Sequence, residues 1–233
     1  MRENGCLSVD DSDMQNGRIT VSNLRKSRKK KKIKVERLDQ SVHYDIDNAP
    51  IVIPLQFGHG AYTVRLLENT TGNKYREIGL VRLAVKITKP LSVYLLPNVY
   101  VDYTDQSACV KKAAELCNGL WADTDKFNAI RGYINTHFRY NFLRALLTTS
   151  NNSMPRINET FAKGCGICHD FAALAAAMLR SQGVPTKLVI GLADNNPHAW
   201  VKVYIRNGWL LYDPTKAIRQ NGSKVVYIEQ RWY

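Results

Sequence analysis

Two patterns of hydrophobic and polar residues divide the chain. In the first part, apolar and polar residues alternate in short runs, with turn residues such as Asp47-Asn48-Ala49-Pro50 between them. The runs lie at 18–22, 32–36, 51–55, 62–66 and 78–87. Alternation with a period of two places successive side chains on opposite faces of a strand. We therefore predict a small antiparallel, Ig-like β-sandwich over residues 17–95, preceded by a disordered segment at residues 1–16.

The pattern changes to helical spacing after Leu96-Pro97-Asn98. One helix is predicted over 106–120, a second begins after Asp123, and a third runs from about 167 to 182 and ends before Gly183. Residues 145–163 are polar and are predicted to form a loop. Strand-like runs follow at 186–191, 199–205 and 209–212. Helices followed by strands predict an α+β domain over residues 96–233.

The chain is basic, with a formal net charge of +13. Eight of the ten residues at 25–34 are Lys or Arg, yet residues 1–50 together carry only +3, from 11 basic and 8 acidic residues. The excess is therefore spread along the chain, which favours general attraction to anionic surfaces over sequence-specific nucleic-acid binding. The basic run 25–34 is predicted to be a solvated hairpin tip.

Hydropathy and cysteine content narrow the class of protein. No stretch reaches the roughly 20 apolar residues of a membrane span, and the first residues carry no apolar signal-peptide core. The sequence alone does not choose between cytoplasm and export. Five cysteines, at positions 6, 109, 117, 165 and 168, are too few for a disulfide framework in a chain of this length.

The strongest chemical signal surrounds Cys168. Two glycines, Gly164 and Gly166, precede it, and it opens the third predicted helix. The free N–H groups and the dipole at a helix start favour a thiolate and can stabilise an oxyanion. A thiolate nucleophile requires a base and a group that orients the base, and His198 and Asp213 lie at the ends of adjacent predicted strands.

The register of those two strands decides whether His198 and Asp213 meet. A two-residue turn at Asn207-Gly208, the most obvious hairpin signal, places Asp213 opposite Lys202, about 13 Å from His198 along the strand. A turn centred near Ile205-Arg206 brings the two side chains face to face. The residues permit a catalytic triad under one register and not under the other.

Four segments in order add a resemblance. They read GICHDFAAL at 166–174, MLRSQGVPTK at 178–187, HAWVKVY at 198–204 and DPT at 213–215. Together they resemble the transglutaminase-like superfamily of papain-fold cysteine enzymes, over roughly residues 100–233. The front half is similar to the β-sandwich modules that precede this domain in some bacterial surface proteins. Lys202 departs from the family pattern, which usually has an acidic residue there, and Cys165 is additional.

The resemblance implies the roles of individual residues. Cys168, His198 and Asp213 are implied as nucleophile, base and orienting acid, with Tyr140 and Trp200 as candidates for substrate or oxyanion support. It also implies a protein or peptide substrate, reached through a thioester acyl-enzyme, and a location at the bacterial cell envelope or outside the cell. No cofactor, metal ion, specific nucleic acid or transmembrane segment is expected, and the oligomeric state is not predicted.

Other interpretations of the same cysteines remain open. Cys165-Gly166-Ile167-Cys168-His169 matches the C-x-x-C-H pattern of haem attachment and the C-x-x-C pattern of redox proteins. Neither explains the segments at His198 and Asp213. A catalytically silent surface-binding or scaffold module is the alternative from another class. Hydrolysis and cross-linking also stay unresolved, because they differ only in what resolves the thioester.

Overall fold

A computed structural model describes residues 1–148, 154–220 and 222–233. By its internal contacts the chain separates into two compact units, Met1–Val93 and Tyr94–Tyr233. The fold is α+β, with antiparallel sheets first and a helix-plus-sheet arrangement second, as the sequence predicts. In the described residues, no helix has both the length and the apolar character that crossing a membrane requires.

Two four-stranded antiparallel sheets make up the first unit. The strands are β1 (Arg2–Asn4), β2 (Leu7–Asp10), β3 (Arg18–Asn23), β4 (Lys31–Arg37), β5 (Gln40–Asp45), β6 (Ile51–Pro54), β7 (Gly60–Thr71) and β8 (Lys74–Val85). One sheet has the order β1-β2-β3-β6 and the other β5-β4-β7-β8. Alternate residues are buried along β3, β4 and β7, which is the period of two in the sequence.

The expectation that residues 1–16 are disordered is wrong for most of the segment. Strands β1 and β2 pair with each other, and β2 also pairs with β3. Leu7 and Val9 of β2 are fully buried. Gly79 of β8 leaves space for this strand, since a Cβ atom at Gly79 would lie 2.7 Å from Cβ of Leu7. Burial of two apolar side chains explains why a segment with many polar residues is ordered.

The basic run 25–34 is not a hairpin tip. Its first part connects β3 to β4, which belong to different sheets, and its second part lies inside β4. Lys31 is almost fully buried and its ammonium group donates to the carbonyl of Ser27. The buried carboxylate of Glu68 forms ion pairs with Arg25 and Arg76. Part of the run therefore has a structural role, because internal partners hold some of its charges.

The second unit packs helices against one antiparallel sheet. Its helices are α1 (Ala108–Leu116), α2 (Asp123–His137), α3 (Phe142–Leu147), α4 (Ile157–Lys163), α5 (Cys168–Ser181) and α6 (Pro214–Ile218). Its strands are β9 (Arg139–Tyr140), β10 (Cys165–Gly166), β11 (Thr186–Ala193), β12 (Asn196–Ile205), β13 (Gly208–Tyr212) and β14 (Tyr227–Trp232). The sheet has the order β13-β12-β11-β14, and β9 pairs separately with β10.

Helix α5 forms the centre of the second unit. It contacts strands β11 and β12 of the sheet and helices α1, α2, α4 and α6. Every residue from His169 to Arg180 is buried. Five alanines between Phe171 and Met178 leave little side-chain bulk, which lets neighbouring elements approach the helix closely. The buried guanidinium of Arg180 donates to three backbone carbonyls, those of Leu96, Thr186 and Tyr233.

Residues 145–163 differ from the predicted loop. Helix α3 begins after Asn141, whose side-chain oxygen accepts from the backbone N–H of Arg144, and α4 begins after Arg156. Residues 149–153 of the predicted loop lie outside the described residues. The sequence pattern does not predict these two helices, because each consists of only one or two amphipathic turns. Such a helix is too short for a helical period to be recognised.

Candidate active site

Cys168 is the first residue of α5, as the sequence predicts. The chain reaches it through Gly164, which adopts a left-handed backbone conformation with φ of 64°, and through the short strand β10. Gly166 is in a tight position, because a Cβ atom there would lie 2.9 Å from Cγ2 of Thr160 and 3.1 Å from Cβ of Asp170. The glycines therefore allow the backbone to bring the thiol to the start of the helix.

Asp170 fixes the start of α5. Its fully buried carboxylate accepts from the backbone N–H of Ile167 at 2.9 Å and from the N–H of Arg156 at 2.9 Å. The guanidinium of Arg144 on α3 donates to both of its oxygens. One carboxylate thus caps the helix that carries Cys168 and holds α3 and the start of α4 against it.

His198 and Asp213 meet at one end of the sheet. Asp213 caps α6, its Oδ1 accepting from the backbone N–H of Lys216 at 3.1 Å, and its Oδ2 lies 2.8 Å from Nε2 of His198. Both side chains are largely buried, with exposed fractions of 16% for His198 and 5% for Asp213. His198 and the thiol of Cys168 also influence each other, since each shifts the pKa of the other.

The register that brings them together is neither of the two considered from the sequence. Ile205 pairs with Gly208, so the two turn residues are Arg206 and Asn207, both with positive φ. This is the geometry of a type I′ turn. Tyr212 pairs with Val201, so Asp213 follows level with Trp200, two residues nearer to His198 than the turn at Asn207-Gly208 would place it, and its carboxylate comes within reach of His198.

Charges at the site favour an ion pair. Burial opposes ionisation of Cys168, but hydrogen bonds with the rings of His169 and His198 outweigh it and lower the pKa of the thiol to about 6. Burial also opposes the cation of His198, yet its bonds with Asp213 and Cys168 raise its pKa to about 9. The pKa of Asp213 is lowered, since His198 outweighs the effect of burial. A thiolate and an imidazolium therefore coexist between those two values.

Two residues at the site were not assigned roles from the sequence. Nδ1 of His169, the neighbour of the nucleophile, lies 3.7 Å from Sγ of Cys168. The hydroxyl of Tyr227 donates to Oδ2 of Asp213 at 2.8 Å. The position of His169 next to the nucleophile was the available signal. Tyr227 had none, because β14 reaches the site only through pairing with β11.

Tyr140 and Trp200 both lie near the site, in different surroundings. Tyr140 is half-buried on β9, and burial together with the nearby charge of Cys168 raises the pKa of its hydroxyl. Trp200 is fully buried, with its ring 6.2 Å from that of His198 and 4.9 Å from that of Tyr227. Trp200 therefore supports the two residues on either side of it.

A cavity of about 370 Å³ opens beside His198 and Asp213, and Cys168 is not among the residues that line it. It is lined by His198 and Asp213, by Tyr140, by the turn between β11 and β12, and by Thr215, Lys216 and Arg219 at α6.

Cys165 carries a free thiol on β10, as Cys168 does on α5. Among residues 1–148, 154–220 and 222–233, no group of three or more His, Cys, Asp or Glu side chains is arranged to hold a metal ion.

Comparison with known proteins finds a similarity for this region. Residues 110–214 match the model of the transglutaminase-like superfamily. Among curated proteins, the uncharacterized protein YebA of Bacillus subtilis is 26% identical over 162 residues, which cover 57% of this chain and 21% of YebA. The uncharacterized protein ML0607 of Mycobacterium leprae is 34% identical over 65 residues, covering 23% of each chain. The aligned part of this chain thus spans less than a quarter of these relatives.

Solved structures with low sequence identity are also similar. A protein from Cytophaga hutchinsonii described as a candidate cysteine protease aligns with 97% of this chain and 78% of its own, at 18% identity and a TM-score of 0.48. The periplasmic domain of TgpA from Pseudomonas aeruginosa aligns with 94% of this chain and 95% of its own, at 14% identity and a TM-score of 0.43.

Proposed function

We propose that the second unit, in which residues 110–214 match the model of the transglutaminase-like superfamily, is a cysteine enzyme acting on peptide or glutamine amides. In this proposal Cys168 is the nucleophile, His198 the base and Asp213 the orienting acid. The observation that carries it is the position of His198, whose Nε2 binds Asp213 and whose ring also interacts with Cys168. These interactions among three residues far apart in the sequence support a role in thiol catalysis.

The first half-reaction forms a thioester. The Cys168 thiolate attacks the amide carbonyl, and a C–S bond forms as the carbonyl oxygen becomes an oxyanion. When the tetrahedral intermediate collapses, the C–N bond breaks and the imidazolium of His198 gives its proton to the leaving amine. The carboxylate of Asp213 keeps the ring oriented and stabilises its cation throughout.

The second half-reaction frees the enzyme. Water or an amine attacks the thioester carbonyl, His198 takes the proton from the attacking atom, and the C–S bond breaks to regenerate the thiolate. Water yields a carboxylic acid, as in a peptidase or deamidase, and an amine yields a new amide, as in a cross-linking enzyme. Hydrolysis and amide formation are both compatible with the match to the superfamily model.

Oxyanion stabilisation is assigned to the start of α5. The first N–H groups of a helix have no carbonyl four residues earlier to bind, and at Cys168 they lie next to the reacting sulfur. The hydroxyl of Tyr140 is the further candidate donor on the cavity wall. Trp200 contributes by supporting the ring of His198 rather than by contact with substrate.

Thiol alkylation across pH tests the proposal without a known substrate. The rate of iodoacetamide reaction at Cys168 should have its midpoint near pH 6, well below that of an ordinary thiol at about 8.5. His198→Ala should move the midpoint upward. A midpoint near 8.5 that His198→Ala leaves unchanged would contradict the proposal and support a catalytically silent binding or scaffold module.

Two further measurements separate the remaining functions. Retention of activity in Cys165→Ala is expected for acyl transfer, whereas a dithiol redox protein would lose its exchange activity. Mass spectrometry of a glutamine peptide incubated with and without a primary amine distinguishes cross-linking from hydrolysis. Addition of the amine to the peptide identifies transfer, and a mass increase of about 1 Da identifies deamidation.

A further inference from the structure

The cavity beside the proposed triad has a basic wall. Lys216 and Arg219, at α6 and the residue after it, both line the cavity together with His198 and Asp213. Neither basic side chain forms an ion pair with an acidic group in the described parts of the chain. Two cations therefore face the cavity that His198 and Asp213 also line.

Arg219 is held in a defined orientation. Its guanidinium carbon lies 5.3 Å from the centre of the Tyr140 ring and 5.1 Å from the centre of the Phe142 ring. These two rings pack edge to face, with centres 4.9 Å apart. Contact with aromatic rings occupies the face of a guanidinium group and leaves the N–H groups on its edge free to donate. The side chain is thus pre-oriented to bind a planar anion through two hydrogen bonds.

The acidic groups around the cavity do not neutralise this wall. Asp213 is engaged by His198, Tyr227 and the backbone N–H of Lys216. Asp194 lies on the wall formed by the turn between β11 and β12, where its Oδ1 accepts from the backbone N–H of Val226. The cations therefore lie at α6, whereas Asp194 lies at the turn between β11 and β12.

We propose that this wall selects amide substrates that carry a carboxylate close to the reacting amide, and that Arg219 is the residue that binds this carboxylate. The proposal rests on the proposed function of Cys168 and names the substrate class. Tyr140 links the two sites, because its ring contacts Arg219 and its hydroxyl lies within the electrostatic influence of Cys168. The carboxylate is either the free end of a peptide or an acidic side chain.

Four electrophilic probes test the proposal on the full chain. N-iodoacetyl-glutamate amide is compared with N-iodoacetyl-glutamine amide, and N-iodoacetyl-alanine with its amide, by following alkylation of Cys168 with mass spectrometry. For each pair, the ratio of the acid rate to the amide rate is the readout. In the wild type, the ratio of at least one pair should exceed that of Arg219→Gln by about two- to fivefold at low salt. The glutamate pair reports a side-chain carboxylate and the alanine pair a terminal one.

Arg206→Gln is the matched control, because it removes the same charge from the turn at the opposite end of β12. Its ratios should equal those of the wild type. Arg219→Lys keeps the charge without the planar fork, so its ratios should lie between those of the wild type and Arg219→Gln. The preference should also weaken as salt is added.

Equal ratios in the wild type and Arg219→Gln, or an equal fall in Arg206→Gln, would overturn the assignment of Arg219. Failure of the proposed function gives a different result. In that case the pH midpoint of iodoacetamide reaction at Cys168 is ordinary and insensitive to His198→Ala, whatever the probe ratios are.

Discussion

The hydroxyl of Tyr227 donates a hydrogen bond of 2.8 Å to Oδ2 of Asp213, the same oxygen that binds Nε2 of His198. The ring of Tyr227 packs on that of Trp200, 4.9 Å away, and Trp200 in turn lies beside the ring of His198. The carboxylate that orients the base is thus itself oriented by a residue on the neighbouring part of the sheet. We regard Tyr227 as a positioning residue of the proposed site.

Tyr227→Phe should reduce catalysis and narrow its pH range. Loss of one hydrogen bond to a charged carboxylate should lower kcat/KM about tenfold. Without this donor the carboxylate of Asp213 loses a contact that orients it, so its hydrogen bond with the imidazolium of His198 should weaken. The pKa of His198 should therefore fall, so the alkaline limb of the pH–rate profile should move to lower pH.

Tyr204→Phe is the control for that measurement. Tyr204 lies on β12 and packs against Trp209, away from Asp213. It should leave both the rate and the alkaline limb unchanged. A purely structural role of Tyr227 would lower the rate of Tyr227→Phe without moving the alkaline limb, which contradicts the positioning role.

A bell-shaped dependence of kcat/KM on pH is expected for the wild type. Below about pH 6 the thiol of Cys168 takes up a proton and the nucleophile is lost. Above about pH 9 His198 loses the proton that it must give to the leaving amine. Activity should therefore rise through the first value and fall through the second.

Asp213→Asn provides the internal check on this profile. Removal of the negative charge should lower the pKa of His198 and draw the alkaline limb towards the acid side. An unchanged alkaline limb in Asp213→Asn would show that the limb reports another group.

Local sequence was enough to predict the position of Cys168. A helix start is encoded in consecutive residues, here two glycines followed by an apolar helical face, and the structure begins α5 at that cysteine. The α+β class followed for the same reason, since strand and helix periods are properties of short segments. The strands of the first unit are likewise visible as alternation.

The arrangement of His198 and Asp213 depended on one turn, because moving the turn by one residue moves the pairing of the two strands by two residues. Asn207-Gly208 is the stronger turn signal, but the structure places Arg206 and Asn207 in the turn, both with positive φ. Tyr227 was beyond the reach of local patterns, because it is brought to Asp213 by pairing between β11 and β14. Long-range pairing, rather than local propensity, decides such contacts.

Replacement of Asp170 should destabilise the protein more than replacement of a surface acid. Asp170→Asn keeps the size of the side chain but breaks a buried ion pair with Arg144 and weakens the cap on Ile167. The free energy of unfolding should fall by about 3 kcal/mol, because the guanidinium of Arg144 is left without its partner.

Urea unfolding followed by tryptophan fluorescence measures this loss. Glu159→Gln is the control, since Glu159 pairs with Arg156 and Lys163 in exposed positions. Its effect on the free energy of unfolding should be much smaller than that of Asp170→Asn, because ion pairs in exposed positions contribute little. Similar losses in the two variants would contradict a special role of Asp170 at the start of α5.

His169 is expected to tune the nucleophile without acting as its base. Nδ1 of His169 lies 3.7 Å from Sγ of Cys168, and His169 and His198 both lower the pKa of the thiol. His169→Ala should therefore raise the pH midpoint of iodoacetamide reaction at Cys168. Asp213 binds His198 and not His169, so the proton transfers of catalysis should survive.

The two histidines can be separated by comparing rates above the new midpoint. At a pH where the thiol of His169→Ala is again ionised, its kcat/KM should return to within about threefold of the wild-type value. His198→Ala should stay inactive at every pH, because no group remains to protonate the leaving amine. Continued inactivity of His169→Ala at high pH would instead place His169 in the proton-transfer steps.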